Sequence, residues 1–324
     1  MKGNVMKSVA GVTTGLAVTL LCAHGVWADG ESQTTTNYNP GLEISIGTEY
    51  MTGDTTYDIG YPVSVAGGGT QEGYFPFSEL EWPLDFTMIR ADAGLELGPS
   101  VRIDGTVKKS VTDPDDTMID RDWVTDANPG RLDIYSESDV TDFDAVIYEL
   151  DVKWNFLKRQ NLDVFAGLGY QYQKFEYDAR MINQYSPSGM PGFDYQGDGR
   201  IAISYEMTYK IPYLLVGGNF EVAPNFSLSG SFGYSPVVDA TDVDQHLLRD
   251  KVSKGDMDGD AFMLDVEGRY DFNSLWFVKG GLQYMKIDVD GDQQQSFSGQ
   301  HFYTVSQEAD SSQFSSFISC GVKF

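Results

Sequence analysis

Between residues 201 and 215 every odd position is apolar or aromatic: Ile201, Ile203, Tyr205, Met207, Tyr209, Ile211, Tyr213 and Leu215. The positions between them include Ser204, Glu206, Thr208 and Lys210. A period of two fits a β-strand and no helix, because successive strand side chains leave on opposite faces. The run exceeds the roughly 9–11 residues with which a tilted strand crosses hydrocarbon, so its excess projects beyond a membrane. The expected arrangement puts the odd face in lipid and the even face, Thr208 included, in a polar lumen.

Similar alternation recurs over residues 42–50, 91–97, 146–156, 164–172, 226–234, 262–270 and 276–287. Short connections (97–100, 158–161, 223–225, 271–274) alternate with long polar ones (50–78, 110–144, 178–200, 244–260, 288–312). Short turns on one side and long loops on the other predict an all-β fold, a transmembrane antiparallel β-barrel of about ten strands. Closure leaves no edge and satisfies every backbone polar group in lipid. Beyond residue 30 no apolar stretch is long enough for a membrane helix. The end, Phe314-Ser-Ser-Phe-Ile-Ser-Cys-Gly-Val-Lys-Phe324, reads as a closing strand that ends on Phe, as barrel proteins present to their assembly machinery.

The start of the chain agrees. Lys2 and Lys7 precede an apolar run over residues 9–23, and Val26-Trp-Ala28 follows with small residues at the spacing a signal peptidase reads. Residues 1–28 are therefore expected to be a secretory signal cleaved after Ala28, leaving 29–324 as a single barrel domain. The run is short for a membrane anchor, and Leu21 before Cys22 does not suit lipoprotein processing. Cleavage leaves Cys320 as the sole cysteine, which excludes an intramolecular disulfide framework.

Acidity decides the class of partner. The chain has 48 acidic against 22 basic residues, a formal charge of -26. Phosphate backbones are repelled by such a surface, so nucleic acid is excluded as a partner and cationic molecules are favoured. An aromatic content of 13% speaks against disorder.

Most external carboxylates read as a solvated rim, but two patterns stand apart. Asp120-Arg-Asp122 and Asp242-Val-Asp244-Gln-His246 each set acidic groups at i, i+2, on one face of an extended strand. A carboxylate beside an imidazole fixes its tautomer and prepares a general base. Two close carboxylates resist joint ionisation, so one holds a proton. Facing each other across a cleft, the pairs could hold and activate a water. Spacing alone supports a structural or metal-binding role equally well, although zinc would want a His-x₃-His pair or a nearby cysteine that the chain lacks. Asp256-Met-Asp-Gly-Asp260 and Asp288-Val-Asp-Gly-Asp292 have Gly at the wrong place for a calcium loop and read as Asp-Gly hairpin turns.

The segment Met118-Ile-Asp-Arg-Asp-Trp-Val-Thr-Asp-Ala-Asn-Pro-Gly130 resembles the first catalytic motif of the omptin family, and Ser235-Pro-Val-Val-Asp-Ala-Thr-Asp-Val-Asp-Gln-His246 resembles its second. Ile44-Ser-Ile-Gly-Thr48, Ser78-Glu-Leu-Glu-Trp82, Gly167-Leu-Gly-Tyr-Gln171 and Lys210-Ile-Pro-Tyr213 follow the family's order over nearly the whole chain. The resemblance implies a ten-stranded outer-membrane barrel whose external cleft is a peptidase cleaving beside basic residues. It implies Asp244 and His246 as a dyad, with His246 taking a proton from the attacking water. It implies Asp120 and Asp122 as the opposing pair that positions this water, with no acyl-enzyme. Asp242 matches one acidic wall of the substrate pocket. The second wall, a Glu in the family, falls on Tyr57, so Asp58 beside it is assigned instead and the choice between Arg and Lys stays open. The family's dependence on lipopolysaccharide implies that lipid as an activator, with no other cofactor and no metal. Tyr170 and Lys174 match part of its contact set, while one basic position falls on Thr208. Tyr170 also reads as an ordinary aromatic-belt residue. The expected protein is a monomeric outer-membrane enzyme open to the exterior, acting on cationic peptides and proteins. The alternative is a non-enzymatic barrel, an adhesin or a small pore.

Overall fold

The structure, a computed structural model, describes residues 41–65, 67–71, 76–125 and 130–324. The expected signal, residues 1–28, and Asn128 and Pro129 of the first motif lie outside the described residues. The strands are β1 (Leu42–Val65), β2 (Gly69–Gln71), β3 (Ser78–Pro83), β4 (Phe86–Leu97), β5 (Val101–Ser110), β6 (Thr117–Asp122) and β7 (Ile134–Arg159). They continue with β8 (Leu162–Tyr185), β9 (Tyr195–Gln196), β10 (Ile201–Ala223), β11 (Phe226–His246), β12 (Lys251–Asp271), β13 (Trp276–Phe297) and β14 (Gln300–Lys323).

Ten of these close a ring in the order β1, β4, β5, β7, β8, β10, β11, β12, β13, β14, every neighbour antiparallel and β14 paired back to β1. The fold is the all-β transmembrane barrel that the alternation implies. At one end, β3 and β6 take over the wall between β1 and β7. The chain bends between β3 and β4 at Leu84 and Asp85, which lets one continuous segment serve both ends of the barrel.

The outer face carries an apolar band, with Leu42, Ile44, Ile46, Leu150, Val152, Leu168, Leu214, Val216, Leu264, Val266, Leu282 and Ile318 all exposed. Tyr50, Tyr148, Tyr170 and Tyr234 rim one edge of the band, and Trp154, Phe220, Tyr270 and Trp276 the other. Such girdles mark the two membrane interfaces. Cys320 lies exposed on the outer face of β14, within this band. Inside the band the lumen is crossed by ion pairs: Arg90 reaches Glu49 at 2.9 Å and Asp92 at 2.7 Å, and Lys108 reaches Glu49 at 2.8 Å. Above them sits an aromatic layer in which Trp82 stacks on Tyr205 at 4.7 Å and Tyr57 on Tyr205 at 5.4 Å.

Two expectations are reversed. The odd face of β10 points inward: Ile203, Tyr205, Met207, Tyr209, Ile211, Tyr213 and Leu215 are buried, while Leu214 is 60% exposed on the other face. Only the second half of this 23-residue strand meets lipid. Its first half stands above the membrane, where water lies outside and packing inside, so the apolar face turns inward. Thr208 therefore belongs to the outer wall with Glu206 and Lys210, not to the lumen. The second reversal concerns the external connections. Residues 244–260 and 288–312 are mostly strand, and β11, β12, β13 and β14 meet in tight hairpins at 247–250 and 298–299. The two Asp-Gly segments are thus no turns: Met257 pairs with Gly291 and Gly259 with Val289 in the middle of the β12–β13 ladder. A Cβ at Gly259 would collide with the carbonyl oxygen of Asp288, so glycine here serves close strand approach.

Candidate active site

β11 carries Asp242, Asp244 and His246 on its inner face, where they are 2%, 1% and 7% exposed. Their partners on β12 are Gly255, Ser253 and Lys251 in that order. On β6, Asp120 and Asp122 share the face of the fully buried Met118 and pair with Leu80 and Ser78 of β3. The i, i+2 spacing read from sequence does set each acidic pair on one face, and both faces turn into the cleft.

His246 Nε2 lies 3.0 Å from Asp244 Oδ2, and Arg249 Nη2 lies 2.6 Å from His246 Nδ1. A guanidinium can only donate. Nδ1 is therefore the acceptor, and the proton sits on Nε2, donated to Asp244. Tyr57 Oη donates to the same Asp244 oxygen at 2.5 Å. Burial opposes ionisation of Asp244, but the charge and hydrogen bond of His246, with Lys251 and Tyr57, outweigh it and hold its pKa down at about 2. Burial is also the largest effect on His246 and lowers its pKa from 6.5, helped by Lys251 and Arg249 and opposed by Asp244. A carboxylate beside a neutral imidazole results at neutral pH.

The opposing pair behaves differently. Burial, then the neighbouring Asp122, pushes the pKa of Asp120 well above the usual range, with Asp244 adding to the rise. Asp122 is raised by burial, while a Ser78 hydrogen bond and the charges of Arg249, Lys251 and His246 pull it back. These mutual effects put the two strands' functional groups within electrostatic reach of one another. Oδ1 of Asp120 and Oδ1 of Asp244 are both buried without a hydrogen-bond partner among the described residues.

Asp242 stands two residues before Asp244, but three donors already serve it: the Gly255 amide at 2.7 Å, Gln307 Nε2 at 2.7 Å and Tyr205 Oη at 3.3 Å. Burial pushes its pKa up to about 7, Asp244 adding to the rise and these donors restraining it. Asp58 is not part of the cleft. Tyr57 points inward, so alternation sends Asp58 to the outer wall, directly between Glu79 and Glu308. Burial and these two carboxylates raise it to about 6 there. The assignment of Asp58 to the substrate pocket is corrected: Tyr57 fills the inward position. Sequence reading missed Tyr57, Arg249 and Lys251 as site residues. The available signal was the register of the β11–β12 hairpin, which sets Lys251 opposite His246 once its turn is placed at 247–250.

On the outer wall, Tyr170 and Lys174 share one face of β8, as their i, i+4 spacing requires. Lys174 bridges Glu176 at 3.0 Å and Glu206 at 3.1 Å, and Thr208 pairs with it across β10. Among the described residues no group of three or more His, Cys, Asp or Glu side chains is arranged to hold a metal ion.

The chain is similar to Protease 7 of Escherichia coli O157:H7, 28% identical over 238 residues that cover 72% of this chain and 71% of that protein. It is similar to the outer membrane protease OmpP of Escherichia coli K12, 27% identical over 73% of this chain and 74% of that one. The crystal structure of the outer membrane protease OmpT from Escherichia coli superposes with a TM-score of 0.68, covering 88% of this chain and 97% of the other at 18% identity, which shows a common fold. The Omptin family model matches residues 69–324, both acidic motifs included. The chain belongs to the omptin family of outer-membrane proteases.

Proposed function

We propose that this outer-membrane protease is an endopeptidase that hydrolyses cationic peptides and proteins beside basic residues, with water activated between the Asp244–His246 dyad and the Asp120–Asp122 pair. One observation carries the reading: an imidazole of defined tautomer and two buried carboxylate oxygens without a hydrogen-bond partner among the described residues, Asp120 Oδ1 and Asp244 Oδ1, belong to two strands that face one cleft. A pore or an adhesin has no use for such an arrangement, and ion pairs and stacked aromatic rings cross the lumen.

The chemistry follows from the hydrogen bonds. Arg249 sits on an exposed turn and must leave His246 Nδ1 when substrate enters. Nδ1 then takes a proton from water as the water oxygen bonds to the scissile carbonyl carbon. Asp244 stabilises the imidazolium that forms. The Asp120–Asp122 pair shares one proton, so it both accepts from the water and donates toward the developing charge. When the C–N bond breaks, His246 returns its proton to the leaving amine, and no acyl-enzyme forms. Asp242 is the acidic wall for the substrate's basic side chain, with Tyr57 and Tyr205 beside it.

The outer wall around Tyr170, Lys174 and Thr208 is proposed to take lipopolysaccharide as activating lipid. Thr208 faces outward but is uncharged and 8% exposed, so the basic position that the resemblance implies there is not supplied. Residues 1–28 are proposed as the cleaved signal, and the mature chain as a monomer with its cleft on the cell exterior. The test is a quenched dibasic peptide added to refolded protein, with and without lipopolysaccharide. The wild type is expected to cleave it with the lipid present, and His246→Ala to lose about 10²–10⁴ in rate. No cleavage by the wild type, or equal cleavage by the variant, overturns the peptidase reading.

A further inference from the structure

Lys251 opens β12 directly across the hairpin from His246. It is 9% exposed and faces the same cleft. Directly opposed residues of an antiparallel pair have Cβ atoms about 4.5–5.5 Å apart, so the ammonium and the imidazole enter the cleft side by side. Other enclosed cations of this barrel are paired: Lys108 reaches Glu49 at 2.8 Å, and Lys153 reaches Asp104 at 3.1 Å. Among the described residues no carboxylate comes within 4.0 Å of Lys251 Nζ. An enclosed ammonium without a close acceptor is costly, and such groups concentrate where a ligand brings the missing charge.

We propose that Lys251 is the electrophile of the peptidase reaction: its ammonium donates a hydrogen bond to the scissile carbonyl oxygen and stabilises the oxyanion of the tetrahedral intermediate. The proposal rests on the peptidase reading of this cleft. When water attacks, the carbonyl π pair moves onto oxygen and the negative charge develops beside Lys251. When the C–N bond breaks, that pair returns to the carbonyl and the lysine keeps its own proton throughout. Of the four carboxylates of the cleft, only the Asp120–Asp122 pair has a shared proton to donate toward the oxyanion, and none brings positive charge to it. Asp244, Asp122 and Asp120 act on Lys251 from beyond salt-bridge distance, together with the like charge of Arg249. Burial, the largest influence, lowers its pKa from the usual lysine range, which strengthens the ammonium as a hydrogen-bond donor. Arg249 is the other cation at hand, but it stands on the exposed turn and moves off His246 Nδ1 when substrate enters, whereas Lys251 is enclosed in the cleft wall.

A transition-state mimic separates this role from a structural one. The probe is a dibasic peptide in which a phosphonate replaces the scissile amide, so that a tetrahedral anion stands at the reacting carbon. Wild-type protein is expected to bind it about 100-fold more tightly than Lys251→Met. In a His246→Ala background, proteins with and without the Lys251→Met substitution should bind the intact amide peptide equally. Turnover by Lys251→Met should fall about 10²–10³-fold in kcat with KM little changed. Lys251→Cys in a Cys320→Ser background should regain activity on aminoethylation with bromoethylamine, which rebuilds an ammonium at that place and excludes misfolding as the cause. Equal phosphonate affinity in wild type and Lys251→Met overturns the proposal, as does a loss confined to KM. If Lys251→Met cleaves normally while His246→Ala is inactive, the lysine role fails and the peptidase reading stands. A wild type that cleaves nothing overturns the peptidase reading and the lysine role with it.

Discussion

At the residue scale, the cleft works by giving similar groups different protonation states. Asp244 and Asp120 are both buried carboxylates, yet one is held at about 2 and the other pushed well above the usual range. Asp244 has a ring N–H, a phenol and a nearby ammonium to stabilise its charge, whereas Asp120 faces the like charge of Asp122. A bell-shaped dependence of kcat/KM on pH follows. Neutral His246 is the active base, so activity is full above its pKa and lost as pH falls through it. That pKa lies below 6.5, because burial and two cations outweigh Asp244. The alkaline limb appears where the acidic pair gives up its shared proton. A pH-rate series with a quenched peptide is expected to place the acid midpoint below 6.5, and a midpoint above that value, or a profile without an acid limb, contradicts the base role. Asp120, Asp122, Asp242, Asp244 and His246 were legible in the sequence because both acidic motifs are local. Tyr57 was not read as a member, since its bond to Asp244 joins residues 187 positions apart.

At the element scale, the external part of the molecule is built from strands and not from loops. β7 runs 26 residues and β1, β8 and β14 run 24 each, far beyond what a bilayer needs. Polar composition made these extensions look like connections, because above the lipid the outer face meets water and needs no apolar residues. The same extensions bring like charges into direct opposition. Asp239, Asp258, Asp290, Glu308, Asp58 and Glu79 stand opposite one another on six successive strands, with Lys210 at one end of the row and Arg121 at the other. Opposed like charges destabilise a sheet. Asp290→Asn relieves the contacts with both Asp258 and Glu308 and is expected to stabilise the barrel by roughly 0.2–1 kcal/mol at low ionic strength. Urea midpoints of the two proteins measure this, and added salt should narrow the difference. A lower midpoint for the variant would count against a repulsive row. The Asp-Gly pairs inside this region show why turn signals misled: Gly259 and Gly291 answer to strand approach, a demand that only the partner strand makes visible.

At the scale of the whole molecule, the formal charge of -26 becomes an organised field. Part of it rings the outer wall and part lines the cleft, so cationic peptides are drawn toward a site that also holds them. Raising the salt from about 0.05 to 0.5 M is expected to raise KM for a dibasic substrate several-fold and leave kcat nearly unchanged, because screening weakens approach but not the buried groups. Initial rates at varied salt and substrate measure both, and a KM indifferent to salt would mean that capture is not electrostatic. The sequence by itself determined the class of fold, the number of wall strands, the short turns at one end and the two acidic motifs, since alternation and i, i+2 spacing are properties of a few adjacent residues. Only the tertiary structure decided which face of β10 turns inward, which of Tyr57 and Asp58 enters the cleft, and that Lys251 stands beside His246. A period of two defines two faces without naming them. What lies against each face, lipid, water or another strand, decides between them.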